Sequence, residues 1–87
     1  MGELNQTLAY LREALASYAD RHHAIAMHLY KKLISKPYKS EEQFVRDLSP
    51  KEVAFLDRML RQEMKYAKEE QDNIRVYHLN EVYEQLI

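Results

Sequence analysis

The chain has no cysteine and no tryptophan, and only one glycine and two prolines in 87 residues. Without cysteine there are no disulfides, no thiolate nucleophile and no cysteine-ligated zinc, which suits an intracellular protein. The scarcity of glycine and proline argues against an all-β fold, because strands need frequent turns and turns need Gly, Pro and Asn. No apolar run approaches the ~20 residues that cross a bilayer, and the mean hydropathy of -0.65 describes a well-solvated chain with no membrane partner. Met1 to Asn5 hold no basic stretch followed by an apolar run, so no secretory signal is expected. Gln6 stands where N-myristoylation at Gly2 needs Ser or Thr. Neither sign of charge dominates: 13 Lys and Arg face 14 Asp and Glu, a formal net charge of -1. That is not the balance of a nucleic-acid coat.

What is present is helical. Leu4, Leu8, Leu11, Leu15, Tyr18, His22, Ile25, Leu29 and Leu33 follow one another in steps of three and four, which predicts one long helix with a heptad seam. Asn5 or Thr7 can cap its start. Pro37 ends it and pushes Lys36 out of the helical region. Lys31, Lys32 and Lys36 sit where cations meet the negative end of the helix dipole. Ser40 then opens a short helix with Gln43 as capping-box partner, and Phe44, Val45 and Leu48 form its apolar side. Ser49, Pro50 and Glu52 make a strong helix start. Beyond them Val53, Leu56, Leu60, Met64 or Glu63, Ala67, Gln71, Ile74, His78, Val82 and Leu86 form one stripe. Phe55, Met59, Tyr66, Tyr77 and Tyr83 lie on a second face, which predicts a second neighbour. The charged stretch Lys65 to Asp72, with Asn73, leaves room for a bend.

The expected architecture is therefore a single all-α domain. Two long antiparallel helices at residues 4–36 and 50–85, about 45 and 50 Å long, form a hairpin with a short helix at 40–48. A domain of this size buries only about 60% of its unfolded surface, and a bare hairpin buries less. A homodimer forming a four-helix bundle, or a third helix folded over the pair, is expected to supply the missing core.

The chain offers no catalytic set. A nucleophile needs a base in reach and oxyanion donors, usually at a Gly-rich turn, and the serines here read as caps or surface residues. Asp20 and His22 make a single Asp-x-x-His, where a di-metal bundle needs Glu-x-x-His on facing helices. No two histidines have the i, i+4 spacing of a helical zinc site. Neither metal nor cofactor is expected. His22, Glu63, Gln71 and His78 fall on the seams and could form a functional or a structural polar layer. Two surfaces remain as candidates. The face Phe55, Met59, Tyr66, Tyr77, Tyr83 suits contact with a second copy or another protein. The cluster Tyr30, Lys31, Lys32, Lys36, Tyr38, Lys39 could attract phosphate and stack on bases, although Glu41, Glu42 and Asp47 follow at once.

Five blocks carry a family resemblance: Tyr10-Leu11-Arg12-Glu13; Ile34-Ser35-Lys36-x-Tyr38; Glu41-Glu42-x-Phe44-Val45-x-Asp47-Leu48; Glu63-x-Lys65-Tyr66-Ala67-x-x-Glu70-Gln71-Asp72; and Leu79-Asn80-Glu81-Val82-Tyr83-Glu84. Together they resemble the small sporulation-specific proteins of endospore-forming bacilli named CsgA, which are made under the sigma-G programme and are unrelated to the curli subunit of that name. The resemblance implies a place in the forespore cytoplasm, a role in sporulation or the spore, and no catalytic residues. The family has been grouped with the small acid-soluble spore proteins, some of which coat DNA. The near-neutral charge and single glycine here do not match that composition, so DNA coating is not expected. The reading is a small non-enzymatic sporulation protein acting through helix-face contacts with protein, with nucleic-acid binding through residues 30–39 as the alternative.

Overall fold

The computed structural model describes residues 5–21 and 23–87. Among these, all regular structure is helical, in five segments: α1 (Gln6–Ala19), α2 (Ala24–Ile34), α3 (Glu41–Arg46), α4 (Pro50–Glu69) and α5 (Asn73–Gln85). The expected starts are present. The Asn5 side chain accepts from the Leu8 amide at 3.1 Å and caps α1. Ser40 Oγ accepts from the Gln43 amide at 3.2 Å, while Gln43 Oε1 reaches past the cap to the Lys39 amide. Ser49 and Glu52 form a full capping box with Pro50 at the first turn of α4.

Neither long rod is continuous. The span 4–36 breaks at Asp20–His23 and the span 50–85 at Glu70–Asp72. The described residues measure 32 × 30 × 26 Å along their principal axes, too short for a helix of 45 or 50 Å. The first break is set by packing, because nothing in its sequence forbids a helix. The carbonyl of Tyr18 accepts from the amides of Arg21 and His23. The Arg21 guanidinium lies 4.9 Å above the Tyr18 ring, and Tyr18, His23 and Phe55 meet in one aromatic cluster. His23 heads α2 without a side-chain cap.

The second break is a helix stop of the Schellman type. The Asp72 amide donates to the Ala67 carbonyl at 2.8 Å and the Gln71 amide to Lys68 at 3.0 Å. The donor of the second bond, the first residue past the helix cap, must be left-handed, and Gln71 has φ 59°. Asp72 then caps α5, accepting from the Arg75 amide at 3.1 Å. A β-carbon costs roughly 1 kcal/mol in this conformation. Gln71→Gly is therefore expected to raise stability by about 0.5–1 kcal/mol. A rise in thermal midpoint checks it; a fall would mean that the Gln71 side chain matters more than its backbone.

The two breaks let the chain cover itself. α1 packs on α2 and α5, and α5 also meets α3 and α4. The core is Leu8, Leu11, Ala14, Leu15, Leu29, Leu33, Tyr38, Phe44, Leu56, Met59, Leu60, Leu79 and Val82. The extra folds supply neighbours that the hairpin reading sought in a second copy. They also reset the helical phase. Ile25 and Ile74, placed on the seams by spacing, are exposed, and Ala26 and Leu79 point inward instead.

Candidate functional site

The corner between α2 and α4 is held by a clasp of charges. Glu52 is buried and makes four contacts with three residues. Its Oε1 accepts from Lys32 Nζ at 2.8 Å and from the Ser49 amide at 2.7 Å, the Ser49 hydroxyl accepts from its amide, and its Oε2 lies 2.9 Å from His28 Nε2. Lys32 also donates to the Asp47 carbonyl at 3.1 Å. Asp47 in turn takes the Lys36 ammonium at 2.9 Å and the Tyr38 hydroxyl at 2.8 Å.

These contacts set the acid behaviour. Burial alone would raise the pKa of Glu52, but the Lys32 hydrogen bond, the Ser49 amide and the charges of Lys32 and His28 outweigh it, so the carboxyl sits below its ordinary 4.5. The Lys36 and Tyr38 hydrogen bonds lower Asp47 in the same way. A carboxyl depressed by folding stabilises above its unfolded pKa, and that stability is lost as pH falls through the folded value. Urea midpoints are therefore expected to drop between about pH 5 and pH 3. Glu52→Gln should be less stable at neutral pH and show a flatter acid slope. Parallel slopes for the two proteins would refute the assignment.

The clasp consumes much of the basic cluster. Lys32 and Lys36 are ion-paired. Tyr38 is 7% exposed, edge-on to Phe44 at 5.1 Å, so it presents no ring to a base. Tyr30 is half-buried against the core. Lys31 and Lys39 remain exposed. Beside the corner lies a groove of about 410 Å³ between α1 and the end of α2. Leu8, Leu33, Ile34 and Tyr38 line it, with Arg12 and Lys36 at its charged rim. Spacing gave no sign of this groove, because it joins residues from α1 to others far along the chain.

The second apolar face is dispersed. Met59, grouped by spacing with the face meant for a second copy or another protein, lies instead in this chain's own core, because Leu56, Met59, Leu60 and Glu63 share the buried side of α4. Phe55 is half-buried against Tyr18 and His23. Tyr83 packs on the core. Tyr66 is exposed and accepts from Gln62 Nε2 at 2.8 Å. Tyr77 is exposed on α5, edge-on to His78, which stacks on Tyr10 of α1 at 4.8 Å.

Of the seam polar residues, His22 lies outside the described residues and Gln71 is exposed at the α4–α5 corner. Glu63 is buried, and Arg75 bridges it to Glu13 of α1 at 3.2 and 3.0 Å. Burial and then the neighbouring Glu63 carboxylate raise the Tyr18 phenol above its ordinary value. His78 Nδ1 and Thr7 Oγ1 share a hydrogen bond of 2.9 Å. Both layers pin α5 to its neighbours. Among the described residues no three His, Asp or Glu gather as metal ligands, and no helix is long and apolar enough to cross a membrane.

A family model described as CsgA, minor curli fiber component A, matches residues 4–87. The sigma-G-dependent sporulation-specific SASP protein of Bacillus subtilis (strain 168) is 43% identical over 84 residues, covering 97% of this chain and all of the relative. No solved structure matches the chain. The curli wording does not transfer: the relative is a sporulation protein, and the described residues form helices only. The chain belongs to the CsgA family of sigma-G-dependent sporulation-specific SASP proteins.

Proposed function

We propose that this is a non-enzymatic protein of the forespore that works by docking to protein through the outer side of α5. The observation that carries this reading is the pair Ile74 and Tyr77, 64% and 60% exposed and one turn apart on a helix whose inner side is packed. Large aromatic and aliphatic side chains left in water on a small domain suit an interface better than a solvated surface. The Tyr10–His78 stack behind Tyr77 gives it a rigid base. The sporulation setting follows from the Bacillus subtilis relative.

The test is a photo-crosslinking residue placed at position 77 and, as control, at exposed Lys51, in sporulating cells. A discrete protein adduct at 77 that is absent at 51 is expected. No adduct, or the same pattern at both positions, would overturn the reading. Titration with DNA covers the alternative. Binding at low salt that collapses as salt rises, and that is weakened by changing Lys31 and Lys39, would move the function to the 30–39 cluster.

A further inference from the structure

We infer that the groove beside the corner receives the outer stripe of α5 from a second copy of this chain, with Glu81 of that copy opposite Arg12. The inference rests on the reading of α5 as a docking surface and names its occupant. Ile74, Tyr77 and Glu81 are spaced i, i+3 and i+7 and share one side of the helix. They offer two apolar side chains followed by a carboxylate. The groove offers the complement. Leu8, Leu33, Ile34 and Tyr38 make it apolar, and Arg12 stands one helical turn beyond Leu8. The interval from Tyr77 to Glu81 is the same single turn, so an apolar contact and an ion pair can form together. The volume, about 410 Å³, lies within the range of pockets that take specific ligands.

Charge selects the pairing. Lys36 at the rim is already committed to Asp47 and lies 5.3 Å from the Tyr38 ring centre. Among the described residues Arg12 and Glu81 form no ion pair. A helix carrying carboxylates past its apolar anchors, Glu81 and then Glu84, therefore meets at the groove a cation that has no ion pair among the described residues. One chain cannot make this contact with itself. Thr7, Tyr10 and Glu13 turn one flank of α1 to α5, while Leu8 and Arg12 turn a different flank to the groove. The contact joins unlike surfaces on the two copies, so each added copy leaves one groove and one stripe open. Association should grow with concentration unless the copies close into a ring.

Sedimentation velocity on the full chain at low salt decides the matter, with Arg12→Glu, Glu81→Arg and the double variant compared with wild type. The average mass of wild type is expected to rise above the 10.5 kDa monomer across the high micromolar range and to fall back as salt is added. Each charge reversal should weaken association roughly five- to tenfold, and the double variant should restore it. Circular dichroism is expected to show all four equally helical. A wild type that stays monomeric, single variants that associate as well as wild type, or a double variant that fails to recover would each overturn the inference. A monomeric wild type that still crosslinks through position 77 to a different protein would overturn it while leaving the docking reading of α5 intact.

Discussion

Phe44→Ala is expected to cost about 3–5 kcal/mol, a large part of the stability of a domain this small. Phe44 is fully buried yet sits on α3, a helix of six residues. So short a helix has no stability of its own in water. It is held by the Ser40 cap, by contact with α5 and by this ring, which also meets Tyr38 edge-on. Alanine would leave a cavity under the corner and release Tyr38 from its hydrogen bond to Asp47. Urea denaturation should show a much lower midpoint, with Phe44→Leu less affected. A loss below about 1 kcal/mol would mean that the corner is not anchored by this side chain.

The second large effect is expected at Arg75. Its guanidinium ties buried Glu63 of α4 to exposed Glu13 of α1, so one residue of α5 fastens two other helices. Arg75→Leu strands the Glu63 carboxylate without its cation. Breaking a buried pair from one side typically costs 3–5 kcal/mol; because Arg75 keeps some contact with water, about 2–3 kcal/mol is expected. Replacing Glu63 by Leu as well removes the stranded charge and should recover much of the loss. A double-mutant cycle measures this directly. If the double variant is as unstable as the sum of the two single ones, the pair is not coupled.

The sequence disclosed helix starts better than helix stops. Asn5, Ser40 and Ser49 announce themselves because a side-chain cap is a local event that needs only a few neighbouring residues. The breaks at Asp20–His23 and Glu70–Asp72 carry no glycine or proline. One is imposed by an aromatic cluster assembled from Tyr18, His23 and Phe55. The other places a glutamine where glycine is usual. The three-and-four spacing of apolar residues continues through both breaks and so points Ile25 and Ile74 to the interior, where the structure leaves them exposed. The polar residues of the second seam were better guides, since Glu63 and His78 do sit between helices. The two candidate surfaces were only half legible. Exposure of Tyr66 and Tyr77 depends on the phase of each helix, and the consumption of Lys32 and Lys36 depends on Glu52 and Asp47 arriving from the other side of the corner.

Asp72 serves at once as the last link of the α4 stop and the first cap of α5. The corner therefore works like a keyed shaft coupling with no free play. Every residue added to or removed from it would turn α5 by about 100° about its own axis, swinging Leu79 and Val82 out of the interior and Ile74 or Tyr77 towards it. A chain that keeps this interior must therefore keep the length of the corner, and that fixed length also holds the bearing of the α5 stripe.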